Sequence, residues 1–171
     1  MSAPSTAITA TIHALLRREL AAVRRSVEAY PDDKSPWAER PGLPNTGGNL
    51  VLHLAGNLQH FFGAVLGKTN YVRDRDSEFS RRGVPRSELL AQLDAAGLAI
   101  DAGMKGLSAE RLAQTFPEQL GGRTFPTQEF IVHLLSHLAY HLGQLDYHRR
   151  VVTENGTSIG ALPVKELGAP A

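Results

Sequence analysis

Apolar residues recur at intervals of three and four along most of this chain, and those intervals mark out four long amphipathic helices. The first spans about 5–30, where Ile8, Ile12, Leu15, Leu16, Leu20, Val23 and Val27 form a stripe opposed by Arg and Glu. "PDDKSPWAERPGLPNTGG" follows, and its four prolines and three glycines make it a loop. A second helix fits 49–66 and stops at "LGK", whereas 68–84 is polar and weakly patterned and reads as a long connection. Ser87 is placed to cap a third helix reaching about Leu107, with Leu89, Leu90, Leu93, Leu98, Ile100 and Met104 along it.

Between 114 and 126 the periodicity breaks. Two short Thr-Phe runs flank Gly121-Gly122, which predicts a small hairpin or ordered loop. Thr127 is placed to cap a fourth helix that runs to about Val152, and the tail over 154–171 reads as an extended strap punctuated by Gly and Pro. Four long helices with almost no strand signal predict an all-α fold, a four-helix bundle. At 171 residues the chain fits a single domain, 1–171.

Composition narrows the partners. A formal net charge of +1 supplies no field to draw nucleic acid or an anionic membrane, and the Arg clusters near 17–25 and 81–82 have acids close by. The N-terminal "MSAPSTAITATIH" lacks a basic run followed by an apolar one, and no stretch approaches the ~18 apolar residues of a membrane span, so a cytoplasmic protein is expected. The chain has no cysteine, which excludes disulfides, thiolate ligands and a cysteine nucleophile. Any thiol chemistry must use a thiol carried by a small molecule.

The candidate chemistry lies in histidine. "IVHLLSHLAYHLGQLDYH" holds four of the seven in the chain, and His133, His137 and His141 fall one helical turn apart. Counting about 100° per residue from His133, His137 lies near 40° and His141 near 80°, with Gln144 near 20° and His148 near 60°. Leu134, Leu138, Leu142 and Leu145 adjoin this stripe, so the imidazoles border the face that points into the bundle. On the second helix His53, Gly56, Asn57 and His60 share one stripe too, and Gly56 leaves room for whatever faces His53. Spacing leaves three readings open: accident, a hydrogen-bonded polar core, or a metal site. Histidines at i and i+4 can bite one divalent ion through neutral ring nitrogens, and a third from another helix would complete a three-histidine set. Leu138 stands where a zincin needs Glu, and the Glu-x-x-His pairs of di-iron bundles and a phosphate-binding loop are missing.

"NLVLHLAGNLQHF", followed some way on by "HLLSHLAYHLGQLDY", strongly resembles the DinB-like superfamily, especially its DUF1572-type branch. The resemblance covers most of the chain, including the proline-rich loop and "FPEQLGGRTFP". It implies a four-helix bundle with a long crossover, for which 68–84 has the length, and a dimer. It implies metal ligands at His53, His137 and His141, and leaves His133, His60 and His148 outside the ligand set. Asn57, Gln144 and His148 are then expected around the ligands or in the pocket.

Characterised members of the superfamily are thiol-dependent S-transferases and isomerases. The function implied is a metal-dependent S-transferase or hydrolase acting on a small molecule, with zinc or nickel as the ion and a low-molecular-weight thiol as partner. His133 or His60 would accept a proton, with no carboxylate evidently placed to orient either. The alternative is a non-catalytic metal- or ligand-binding dimeric bundle.

Overall fold

The computed structural model, which describes residues 4–159 together with 163, 164 and 167, turns the first apolar stripe into helix α1 (Pro4–Glu28). Leu16, Val23 and Val27 are completely buried on it, but Ile8 at the start of the stripe is half exposed. The proline-rich loop contains one tight helical turn, Ser35–Trp37, and Trp37 Nε1 donates to the Val84 carbonyl at 2.9 Å. Helix α2 (Gly47–Leu58) starts where Thr46 caps it, the side chain accepting from the Asn49 N–H at 3.3 Å.

The same helix then widens into π-helical turns over Gln59–Leu66, closing with Gly67 N–H donating to the Phe62 carbonyl at 2.8 Å. Gly103 lies directly against the Phe62 backbone here, and a side chain there would collide with the Phe62 carbonyl. Close backbone approach and the wider turn therefore occur at one place.

The connection predicted over 68–84 is not featureless. Helix α3 (Arg75–Ser80) forms within it, capped by Asp74, which accepts from Ser77 N–H at 3.1 Å, with Asp76 and Glu78 in its first turn complementing the helix dipole. Helix α4 (Arg86–Met104) follows, with Pro85 at the capping position. Ser87 lies inside the helix and is no cap, because the proline fixes the entry of the chain two residues earlier. Leu98, expected on the apolar stripe, points outward and is 71% exposed.

Helix α5 (Ala109–Ala113) is a short addition capped by Ser108. The predicted hairpin forms as a pair of bridges: Phe116 N–H donates to the Phe125 carbonyl at 2.8 Å, and Leu120 and Arg123 exchange bonds at 3.0 Å. Gly121 and Gly122 both have positive φ, 57° and 74°, as a two-residue hairpin turn of the primed type requires. Helix α6 (Thr127–Thr153) then starts after Pro126, and the Thr127 hydroxyl donates to the Gln114 carbonyl at 2.9 Å instead of capping the helix.

Helix α1 packs on α4 and α6, and α2 with its π-helical continuation packs on the same two, so the four long helices close around one leucine-rich core. Helix α3 lies against α2. The fold is all-α, and among the described residues no strand forms and no helix is long and apolar enough to cross a membrane. Past the left-handed Glu154, Arg149 holds the Thr157 carbonyl at 2.5 Å and Ile159 rests on the core. The remainder of the strap expected over 154–171 lies largely outside the described residues.

Candidate metal centre

Packing of α2 against α6 brings His53 onto the one-turn pair His137 and His141. His53 Nε2 is 3.2 Å from His137 Nε2, which is 3.1 Å from His141 Nε2, and the three donor atoms all lie within 4.8 Å of one another. His53 is buried, while His137 and His141 are half-buried.

The outer nitrogens of two of these rings are engaged. His53 Nδ1 meets Glu78 Oε2 at 2.9 Å and His141 Nδ1 meets Gln144 Oε1 at 2.6 Å. Both partners accept, so each Nδ1 carries the proton and each Nε2 turns a bare lone pair toward His137. A single proton on His137 Nε2 can serve only one of its two contacts. His137 Nδ1 is buried and has no partner among the described residues, so this ring alone lacks an orienting bond.

Glu78 is itself fixed by Arg73, whose Nε lies 2.7 Å from Oε1 and Nη2 2.9 Å from Oε2. Gly56, one turn from His53, is what lets this carboxylate approach: a side chain there would collide with Glu78 Oε1. Burial by itself would raise the Glu78 pKa, but the bonds from His53 and Arg73 hold it below the usual carboxylate value. Burial first, and then the nearby rings of His141, His53 and His133 with the Arg73 charge, push His137 down to about 3. His141 is likewise lowered, chiefly by burial, against the opposing bond from Gln144. Both rings are therefore neutral, the state in which imidazole binds a cation.

The donor set fits a divalent ion. Nitrogens ~2.05 Å from a common zinc at tetrahedral angles stand roughly 3.3 Å apart, against 3.1 and 3.2 Å for the two closest pairs here. A carboxylate behind one ligand and an amide behind another are the outer partners that orient metal-bound histidines. Three protein nitrogens also leave coordination positions for water or substrate, as catalytic sites do.

The three rings form one wall of a cavity of about 540 Å³, which Asn45, Asn57, His60, Arg73, Arg75 and Glu118 also line. Asn57 is buried there, with its Oδ1 unpaired among the described residues. His60 Nε2 meets Glu118 Oε2 at 2.9 Å, which supplies the orienting carboxylate that the sequence did not reveal. His133 stays outside the cavity lining; its ring is exposed, stacks on Phe130 at 5.8 Å and lies 6.2 Å from His137. His148 is engaged elsewhere. Its Nε2–H donates to the Ala38 carbonyl at 2.9 Å and its Nδ1 accepts from the Tyr30 hydroxyl at 2.6 Å.

Helix α4 and the hairpin supply no member of the triad. Asp94 pairs with Arg24, Asp101 with His13 at 2.8 Å, and Glu118 with His60. Sequence reasoning misses Glu78 and Arg73, which sit in the stretch that reads as a long connection. The available signal was Asp74, a capping residue followed by acids in the next turn.

A family model described as "DinB superfamily" matches residues 15–145. The matched span contains all three converging histidines, Glu78 and Gln144. No curated protein and no solved structure matches the chain.

Proposed function

This chain belongs to the DinB superfamily, and from that premise we propose that it is a metal-dependent enzyme, a thiol-dependent S-transferase or a hydrolase acting on a small molecule. The ion would be held by His53, His137 and His141. One observation carries the reading: three ring nitrogens converge beside a cavity, with Glu78 and Gln144 fixing two rings from behind. Zinc and nickel both suit imidazole donors. The bound ion would supply Lewis-acid chemistry, making a thiol or water nucleophilic near neutral pH.

The chain's own residues bind and orient. Glu78 keeps the His53 ring turned inward, and Asn57, whose buried amide oxygen has no partner among the described residues, lines the cavity with Arg75. With no cysteine in the chain, the sulfur nucleophile of a transferase would come from a small thiol. We further propose a cytoplasmic homodimer; Val132, Tyr140, Tyr147 and Val151, all exposed along one side of α6, support the second copy.

The test is metal analysis of protein purified without an affinity tag, followed by a screen of small thiols against electrophiles and of activated esters. One equivalent of zinc or nickel with turnover in either arm is expected. Bound metal with no turnover across both arms would favour a non-catalytic metal-binding bundle. Protein that takes up no divalent ion would overturn the reading.

A further inference from the structure

We propose that His60, oriented by Glu118, accepts the proton of a small thiol that binds at the three-histidine site; this rests on the metal-site reading above. His60 sits on the π-helical stretch that continues α2 and faces the cavity shared with His53, His137 and His141. Its orienting partner comes from a different part of the chain. Glu118 belongs to the hairpin, which is closed by the Phe116–Phe125 and Leu120–Arg123 bonds, so the carboxylate is presented from a constrained loop.

The bond to Glu118 decides which ring nitrogen is basic. A carboxylate only accepts, so His60 Nε2 carries the hydrogen and Nδ1 carries the lone pair. No described residue donates to that Nδ1, and the adjoining Phe61 ring, edge-on at 4.7 Å, offers it no N–H or O–H donor. A neutral imidazole with an anionic carboxylate behind it and a free nitrogen on the other side has the arrangement of a general base. The charged groups around it are Glu118 from the hairpin and Arg73 and Arg75 from the α3 region, and Arg73 is already neutralised by Glu78. His133, the other imidazole outside the triad on this side, has no such carboxylate among the described residues and does not line the cavity.

In the step itself the S–H bond breaks, its electron pair stays on sulfur, and the proton passes to His60 Nδ1. The resulting imidazolium keeps its Nε2–H on Glu118, whose negative charge offsets the new positive one. Glu118 takes no proton and is a positioning residue.

Proton bookkeeping supplies the test. The full chain is loaded with Co(II) and titrated with 2-mercaptoethanol from about pH 7 to 8.5, above the usual imidazole range and below that of the thiol. Binding is read from the sulfur-to-cobalt charge-transfer absorption. If the proton stays in the site, the apparent affinity of the wild-type protein should change by less than about twofold per pH unit. If it is lost to solvent, linkage requires about tenfold per pH unit. His60→Gln should show the steep dependence, and Glu118→Gln a dependence between the two, with circular dichroism confirming the helices in both. A pair that merely pins the hairpin to α2 would leave the slope unchanged while lowering the melting temperature.

Equal slopes in wild type and His60→Gln, or a steep slope already in wild type, would overturn the proposal. If His60→Gln fails to fold, the same comparison is made with Glu118→Gln, and a wild-type slope there overturns it as well. Absence of a Co(II) visible spectrum in the wild type would instead overturn the metal site itself, and the proton acceptor with it.

Discussion

Helix α6 carries two buried histidine sites of opposite character, and α2 sets a glycine opposite each. At one, His148 has both ring nitrogens paired, to the Tyr30 hydroxyl and the Ala38 carbonyl, and a side chain on Gly47 would collide with that hydroxyl. At the other, His137 and His141 meet His53, and a side chain on Gly56 would collide with Glu78. The first site is complete within the protein. The second turns two lone pairs toward His137, which can meet only one of them with a proton, and so leaves room for a cation. Which histidines sit on the inward stripe therefore says less than what their outer nitrogens touch.

Exchanging the roles of the two sites gives the largest expected effect. His137→Ala should weaken zinc binding by more than about 100-fold, beyond the range seen for changes behind a ligand. The helices should remain, because their leucine core is buried independently of any ion, at ~25 cal/mol per Å². His148→Ala should do the reverse. It leaves the buried Tyr30 hydroxyl without its acceptor, a loss of about 2 kcal/mol, so melting should fall by roughly 4–8 °C in a domain of this size. Its zinc stoichiometry should be that of the wild type. Thermal melting beside competition with a chromophoric chelator reads both variants, and metal loss in the His148 variant would dissolve the distinction.

Glu78 sharpens the contrast from behind the ligand. Glu78→Gln keeps the shape but exchanges an anionic acceptor for a neutral amide, so zinc affinity should fall by about 10- to 100-fold. The same chelator competition measures it, and unchanged affinity would mean that the carboxylate only ties α3 to α2. Gly56→Ala is milder. The colliding atom is the end of a flexible side chain, so the carboxylate can swing aside, and a helical Gly→Ala change adds about 1 kcal/mol of propensity. Affinity should drop by less than tenfold while the melting temperature holds or rises, whereas Gly47→Ala, which strikes the fully buried Tyr30, should lower it.

The two sites also mark what the sequence disclosed. The four long helices were legible because leucines repeat over many turns, and Gly121-Gly122 announced the hairpin because only glycine adopts two successive positive φ values with ease. Helix α3 spans six residues, too short to show a period, so Glu78 vanished into a polar stretch. His148 shares a stripe with His137 and His141, but periodicity reports direction around α6 and not which element lies opposite at each turn. The stripe meets α2 at one level, and Tyr30 at the end of α1 with Ala38 of the following loop at the other. The Glu118–His60 pair was hidden for the same reason: it joins residues 58 positions apart.

The smallest effect expected is the pH dependence that the closed site contributes. Burial, the larger cause, and the Arg40 charge lower the His148 pKa, with the Ala38 bond opposing, and burial raises that of Tyr30. As pH falls below the ordinary histidine value of 6.5, the unfolded chain binds a proton that folded His148 refuses, so stability is lost toward acid. As pH rises above the ordinary tyrosine value of 10.0, the unfolded chain releases a proton that folded Tyr30 retains, so stability is lost toward alkali. In ion-free protein His137 and His141 act in the same direction as His148 in acid, and a variant is needed to separate them. His148→Gln should melt at a lower temperature at pH 8 yet lose less than wild type between pH 6.5 and 5, and Tyr30→Phe should flatten the limb above pH 10 while leaving the acid limb in place. Melting curves across this range decide it. Parallel acid limbs in wild type and His148→Gln would show that burial does not hold His148 neutral, and that the acid limb comes from the three-histidine site.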